Sequence, residues 1–196
     1  VYADSVAVNM GLKSGDKILA VDGEKIEKFS DIQMNILINN AKQVTIERNQ
    51  KQEDITLPDG TISGLIKNQK SFLEPAIIAE VKEVTPNTPA DSAGLLPKDI
   101  ILGIDNSSTP FFQDVVSYLK ERPNESVILK VNRNNAMIEL PATVRSNGTL
   151  GFAITPMDEQ ITFSTEEFSA LESIPAGVNK AYDSFDNYIK QMKLVF

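Results

Sequence analysis

The segment GLKSGDKILAVDG, Gly11 to Gly23, returns as GLLPKDIILGIDN, Gly94 to Asn106, and this repeat constrains the fold more than any other feature of the chain. The offset is 94 − 11 = 83 positions, and it also relates Asp16 to Asp99, Ile18 to Ile101, Leu19 to Leu102, Asp22 to Asp105 and Asp31 to Asp114. A period this long marks a duplicated domain, because solenoid units are far shorter. Two small cores of roughly 100 residues each are therefore expected, rather than one large core.

Each copy reads as the same series of elements. ADSVAVNMG (Ala3 to Gly11) and PADSAG (Pro89 to Gly94) carry small residues able to form a short helix, with a glycine where a left-handed cap is wanted. DKILAVDG and DIILGIDN then read as strands ending in Asp-Gly and Asp-Asn turns. Helical spacing follows, with Phe29, Ile32, Ile36 and Leu37 in the first copy and Phe112, Val115, Val116 and Leu119 in the second; Ser30 is the expected N-cap. The strands QVTIERN and EDITLP close the first copy, and SVILKVNRN and MIELPATV the second. The fold class is α+β, built on small antiparallel sheets.

Composition narrows the chemistry. The formal net charge of −8 repels phosphate backbones, so nucleic acid is excluded as a partner. No cysteine is present, hence no disulfide framework and no thiolate nucleophile. The absence of histidine removes the usual general base and the commonest zinc ligand, so catalysis and a metal site are not expected within this stretch. Asp16 and Asp99 could suggest acid–base chemistry, but their place beside a turn favours capping of backbone N–H groups. No run of about 18 apolar residues occurs, and the missing initiator Met is expected of a fragment of a longer protein.

The succession Ala-x-x-Met-Gly-Leu-x-x-Gly-Asp-Lys-Ile-Leu-Ala-Val-Asp-Gly, then a helix, then a β-run, resembles the PDZ domain. In the second copy Lys98 stands where the first has the turn glycine Gly15. The resemblance implies that an extended peptide adds as a strand between a sheet edge and a helix, with loop N–H groups receiving its carboxylate. Two stretches have the character of such a loop and strand: DGTISGLI with Gly64, Leu65 and Ile66, and NGTLGFAI with Gly151, Phe152 and Ile154. Ile32, Ile36, Val115 and Leu119 are the candidates on the facing helices.

The first copy begins at its helix entry, so its groove strand has to come from elsewhere. The expectation is nesting: domain 1 spans 1–58 and is completed by 147–156, while domain 2 spans 59–146. The other arrangement the residues allow is plain tandem order, in which each loop closes the body before it. Residues 157–196 form a linker and a helix, in which Val178, Ala181, Tyr182, Phe185, Tyr188, Ile189, Met192 and Val195 recur at three and four. This helix is read as lying on a membrane surface and leading into a span.

Tandem PDZ-like units followed by SIPAGVNKAYDSFDNYIKQMKLVF resemble the site-2 protease family of intramembrane zinc metalloproteases, of the RseP or regulator-of-sigma-E type. The resemblance implies a periplasmic regulatory region at the bacterial inner membrane, with zinc held in the parent's membrane part. It also implies partners: single-span membrane substrates, such as a pre-cleaved anti-sigma factor, gated by size, and peptide C-termini. The alternatives are a non-catalytic PDZ scaffold, or a PDZ appendage of an HtrA-like or C-terminal-processing serine protease.

Overall fold

The computed structural model describes residues 1–58, 60, 71–160 and the single positions 169, 177, 181 and 185. The chain divides into two units, with the break between Glu74 and Pro75. The first contains β1 (Tyr2–Ala3), α1 (Ser5–Asn9), β2 (Lys17–Val21), β3 (Glu24–Lys25), α2 (Phe29–Ile38), β4 (Gln43–Arg48), β5 (Lys51–Thr56) and β6 (Leu73–Glu74). Its main sheet has the order β3-β2-β4-β5, and β1 pairs with β6 in a separate two-stranded ribbon.

The second unit repeats this plan. β7 (Val81–Val84), α3 (Pro89–Ser92), β8 (Ile100–Ile104), β9 (Ser107–Ser108), α4 (Phe112–Lys120), β10 (Ser126–Arg133), β11 (Ala136–Thr143) and β12 (Phe152–Ile154) are followed by the short α5 (Met157–Gln160). The sheet order is β11-β10-β8-β9, and β12 pairs antiparallel with β7. This is the α+β class that the repeat demanded.

Local sequence explains the joints. The β4–β5 hairpin turns on Asn49 and Gln50 and the β10–β11 hairpin on Asn134 and Asn135, all four at positive φ between 51° and 65°. Two successive left-handed residues match the right-handed twist of the flanking strands. Alternation then sends Val127, Leu129 and Val131 of β10 into the second core, where they meet Val115 and Leu119 of α4. In the first core Val44 and Ile46 of β4 meet Ile32 and Ile36 of α2. Each such side chain stabilises its unit by roughly 1.5–3 kcal/mol relative to exposure.

Nesting is overturned. Phe152 pairs with Val84 and Ala153 with Glu83, both in the second unit, and Leu150 is buried in the second core. β12 joins β7, the strand that opens the second unit, so each unit is closed by the loop and strand that follow its own sheet, and the units follow one another in tandem. The boundary moves accordingly from 58/59 to Glu74/Pro75, because Phe72 and Leu73 are buried in the first core. Gly64, Leu65, Ile66 and most of the amphipathic helix expected after residue 160 lie outside the described residues; of the apolar positions expected there, Ala181 and Phe185 are described, helical and exposed.

Two smaller outcomes concern single residues. Helix α2 starts at Phe29 with Lys28 as its N-cap, so Ser30 sits inside the first turn and its hydroxyl donates to Asp31 instead. Lys98 adopts φ 72°, matching φ 97° at Gly15, so the side chain occupies a backbone position suited to glycine.

Candidate functional site

The second unit presents an unpaired strand edge beside a helix. Thr85 N–H donates to the Gly151 carbonyl at 2.9 Å, and Phe152 lies opposite Val84. In an antiparallel ladder this makes Phe152 and Val84 a non-hydrogen-bonded pair, so the N–H and C=O of Phe152 point to the opposite edge. Among the described residues no strand covers that edge.

Helix α4 runs along it. At one end Gly148 approaches the last turn of the helix so closely that a Cβ would lie 2.9 Å from the Lys120 Cα. At the other end the Phe112 ring meets Phe152 edge-on, with centroids 6.4 Å apart. Val116 is four residues from Phe112 and three from Leu119, so it projects on the same side of the helix and is half-buried. The result is a slot between β12 and α4 with a tight loop at its head and aromatic walls at its foot.

The loop is shaped by its own backbone. Gly148 N–H donates to the Arg145 carbonyl and Arg145 N–H to the Thr149 carbonyl, both at 2.9 Å. Gly151 has φ 91°, and a Cβ there would lie 2.5 Å from the Thr88 Cβ, so only glycine fits. The Leu150 carbonyl is used by Ala90 N–H at 2.9 Å. The N–H groups of Leu150 and Gly151 make no hydrogen bond among the described residues. From Arg145 to Gly151 the loop holds no acidic residue, and the backbone of Lys120 at the helix end adjoins it at Gly148. Two backbone donors without a hydrogen-bond partner among the described residues thus lie at the head of the open β12 edge.

The predicted site residues separate on this geometry. Gly151, Phe152 and Ile154 form the loop and strand of the slot, though in the second unit rather than the first. Ile32, Ile36, Val115 and Leu119 are all buried in the cores, so they position α2 and α4; Phe112 and Val116 are the α4 residues that border the slot. A depression of about 450 Å³ between α3 and β11, bordered by Asn87, Ser126 and Thr143, carries no charged side chain.

Asp16 and Asp99 are turn caps, as expected: Lys13 N–H donates to Asp16 at 2.7 Å and Leu96 N–H to Asp99 at 2.9 Å. Each also holds an arginine in a two-pronged pair, Arg48 on Asp16 and Arg133 on Asp99, every contact at 2.7 Å. Arg48 and Arg133 reach onward to the Gly11 and Gly94 carbonyls. The aspartate hydrogen bonds raise both guanidinium pKa values. These pairs fasten β4 and β10 to the helix ends; they offer no free carboxylate for catalysis.

A PDZ domain family model matches residues 1–47 and 80–133. The chain belongs to the PDZ domain family. It is 25 % identical over 200 residues to the regulator of sigma E protease of Haemophilus influenzae, covering 92 % of this chain and 44 % of that protein. A Borreliella burgdorferi protein carrying a zinc metalloprotease name is 25 % identical over 162 residues, which is 82 % of this chain and 36 % of that one. A Haemophilus influenzae protein named as a periplasmic serine protease, do/HhoA-like, is 27 % identical over 152 residues, or 69 % of this chain and 32 % of that one. The chain thus spans less than half the length of each of these relatives.

Proposed function

We propose that this chain is the periplasmic PDZ pair of a membrane-embedded zinc metalloprotease of the site-2 type, and that it controls which membrane proteins reach the active site. The observation that carries this reading is the open β12 edge with its two unpaired loop amides, in a chain similar along 92 % of its length to a regulator of sigma E protease. The slot receives a newly made carboxyl end, while the bulk of the two domains obstructs a folded ectodomain and admits a trimmed stump. The partner is a single-span membrane protein, such as an anti-sigma factor that a first protease has shortened. Peptide binding of this kind belongs to the weak class, with an interface under about 1,200 Å².

Bond cleavage lies elsewhere. With no histidine or cysteine in the chain, and no cluster of three candidate metal ligands among the described residues, the residues present do not fit zinc. The ion belongs to the parent's membrane part, and this chain acts by non-covalent contact. Among the described residues no helix is long and apolar enough to cross a membrane; the contact with the membrane surface is assigned to the segment after residue 160.

The test uses the intact parent enzyme and the same enzyme lacking residues 1–156, each given a full-length substrate and a pre-trimmed one. Gating requires that the intact enzyme cleave the trimmed form alone and that the deletion cleave both. Equal cleavage of both forms by the intact enzyme refutes the reading. Similarity to a periplasmic serine protease supports a second reading, an appendage of that enzyme class. A His-Glu-x-x-His motif within an apolar segment of the intact gene separates the two.

A further inference from the structure

In the first unit a side chain of the helix reaches the backbone that faces it. Gln33 lies on α2 at the position that the 83-residue offset relates to Val116 of α4, since 33 + 83 = 116. Its side chain crosses to the backbone beside β6. Gln33 Nε2 donates to the Ser71 hydroxyl at 3.0 Å and to the Leu73 carbonyl at 3.2 Å, and Oε1 accepts from Phe72 N–H at 3.1 Å. Ser71 Oγ also donates to the Leu73 carbonyl at 2.7 Å. One side chain thus engages a backbone donor just before β6 and a backbone acceptor on it, the kind of groups an entering peptide strand would use. In the second unit the equivalent residue is a valine, which has no polar atom, and among the described residues no α4 side chain hydrogen-bonds to Leu150–Ile154.

We infer that the two PDZ units have divided their labour: the second receives the polypeptide end, and the first is held closed by Gln33 as a built-in substitute for the ligand. This rests on the reading of the second slot given above. The probe for the second slot is a peptide ending apolar-x-apolar with a free carboxylate, chosen to set the carboxylate on the unpaired Leu150 and Gly151 amides and an apolar side chain against Phe112 and Phe152.

The purified chain is titrated with a labelled ten-residue peptide ending in Phe-Ser-Val, as free acid and as amide, with amide resonances followed by NMR. The wild-type chain should bind one free-acid peptide, with shifts at Leu150–Ile154 and none at Phe72 and Leu73. Q33V should gain a second site at Phe72 and Leu73. V116Q should weaken the second-unit site by about tenfold or more, as expected if two or three hydrogen bonds must be exchanged for entry. Saturation of both sites in the wild type, or a Q33V variant that gains nothing while the second site binds, overturns the inference. Hydrogen exchange without peptide tests the plug alone: the Phe72 amide should be protected in the wild type and lose at least about tenfold of that protection in Q33V. An unprotected wild-type Phe72 amide overturns the inference whatever the peptide does. Loss of all binding at the second unit, with Phe72 still protected, instead refutes the peptide-receiving reading and leaves the closed first slot standing.

Discussion

Replacing Arg133 by methionine keeps most of the aliphatic bulk and removes the partner of a deeply buried carboxylate. Asp99 is 1 % exposed, and after the change its side chain retains only the Leu96 N–H bond. Breaking one side of a buried ion pair costs about 3–5 kcal/mol, chiefly because the other charge is left without compensation. The Arg133 side chain is 25 % exposed, so water reaches the vacated space and the expected loss falls to about 2–3 kcal/mol. Native-state hydrogen exchange reads this within the second unit alone, which matters because the two units need not unfold together. Protection of the Leu129 amide should fall about 30- to 160-fold. The double variant D99N/R133M should recover part of this, since a neutral amide is less costly to bury unpaired. A fall of less than about threefold in R133M, or no recovery in the double variant, would show that the pair behaves as a surface contact and that the burial argument fails.

Three further outcomes follow from single geometries. Lys98→Gly relieves a positive φ and should stabilise the second unit by about 1 kcal/mol, raising its unfolding midpoint; an unchanged or lower midpoint counts against strain at that turn. Gly151→Ala drives a Cβ into Thr88 at a φ of 91° and should cost about 2–4 kcal/mol, read by thermal unfolding, so a neutral variant would mean the loop is not as close as described. Tyr118 donates to Asp105 at 2.8 Å, which, with burial, raises its phenol pKa above the ordinary value of about 10. A raised pKa means the bond's stabilisation is complete below the unfolded value and is lost as pH climbs through the folded one. Tyr118 should therefore ionise late in an absorbance titration, and D105N should bring it earlier.

The 83-residue repeat was enough to place two α+β units, their helices and hairpins, and the PDZ resemblance, because those features depend on near neighbours: Asn-led turns that tolerate positive φ, alternating Val and Leu, and helical spacing. The loop glycine Gly151 and Phe152 were legible for the same reason. Which unit they serve was not, since strand pairing depends on which sheet edge lies within reach, and only the pairing of β12 with β7 and the burial of Leu150 settle it. Asp16 and Asp99 declared their capping role three residues away, whereas their arginines lie 32 and 34 positions along the chain and are brought in by the sheet. Helical periodicity likewise found Val115 and Leu119 but gave them to the slot, when packing turns them inward and leaves Phe112 and Val116 at its border. Nor could the sequence reveal that a glutamine on one helix meets the backbone of a strand some forty positions later, because a hydrogen bond across a slot exists only once both walls are in place.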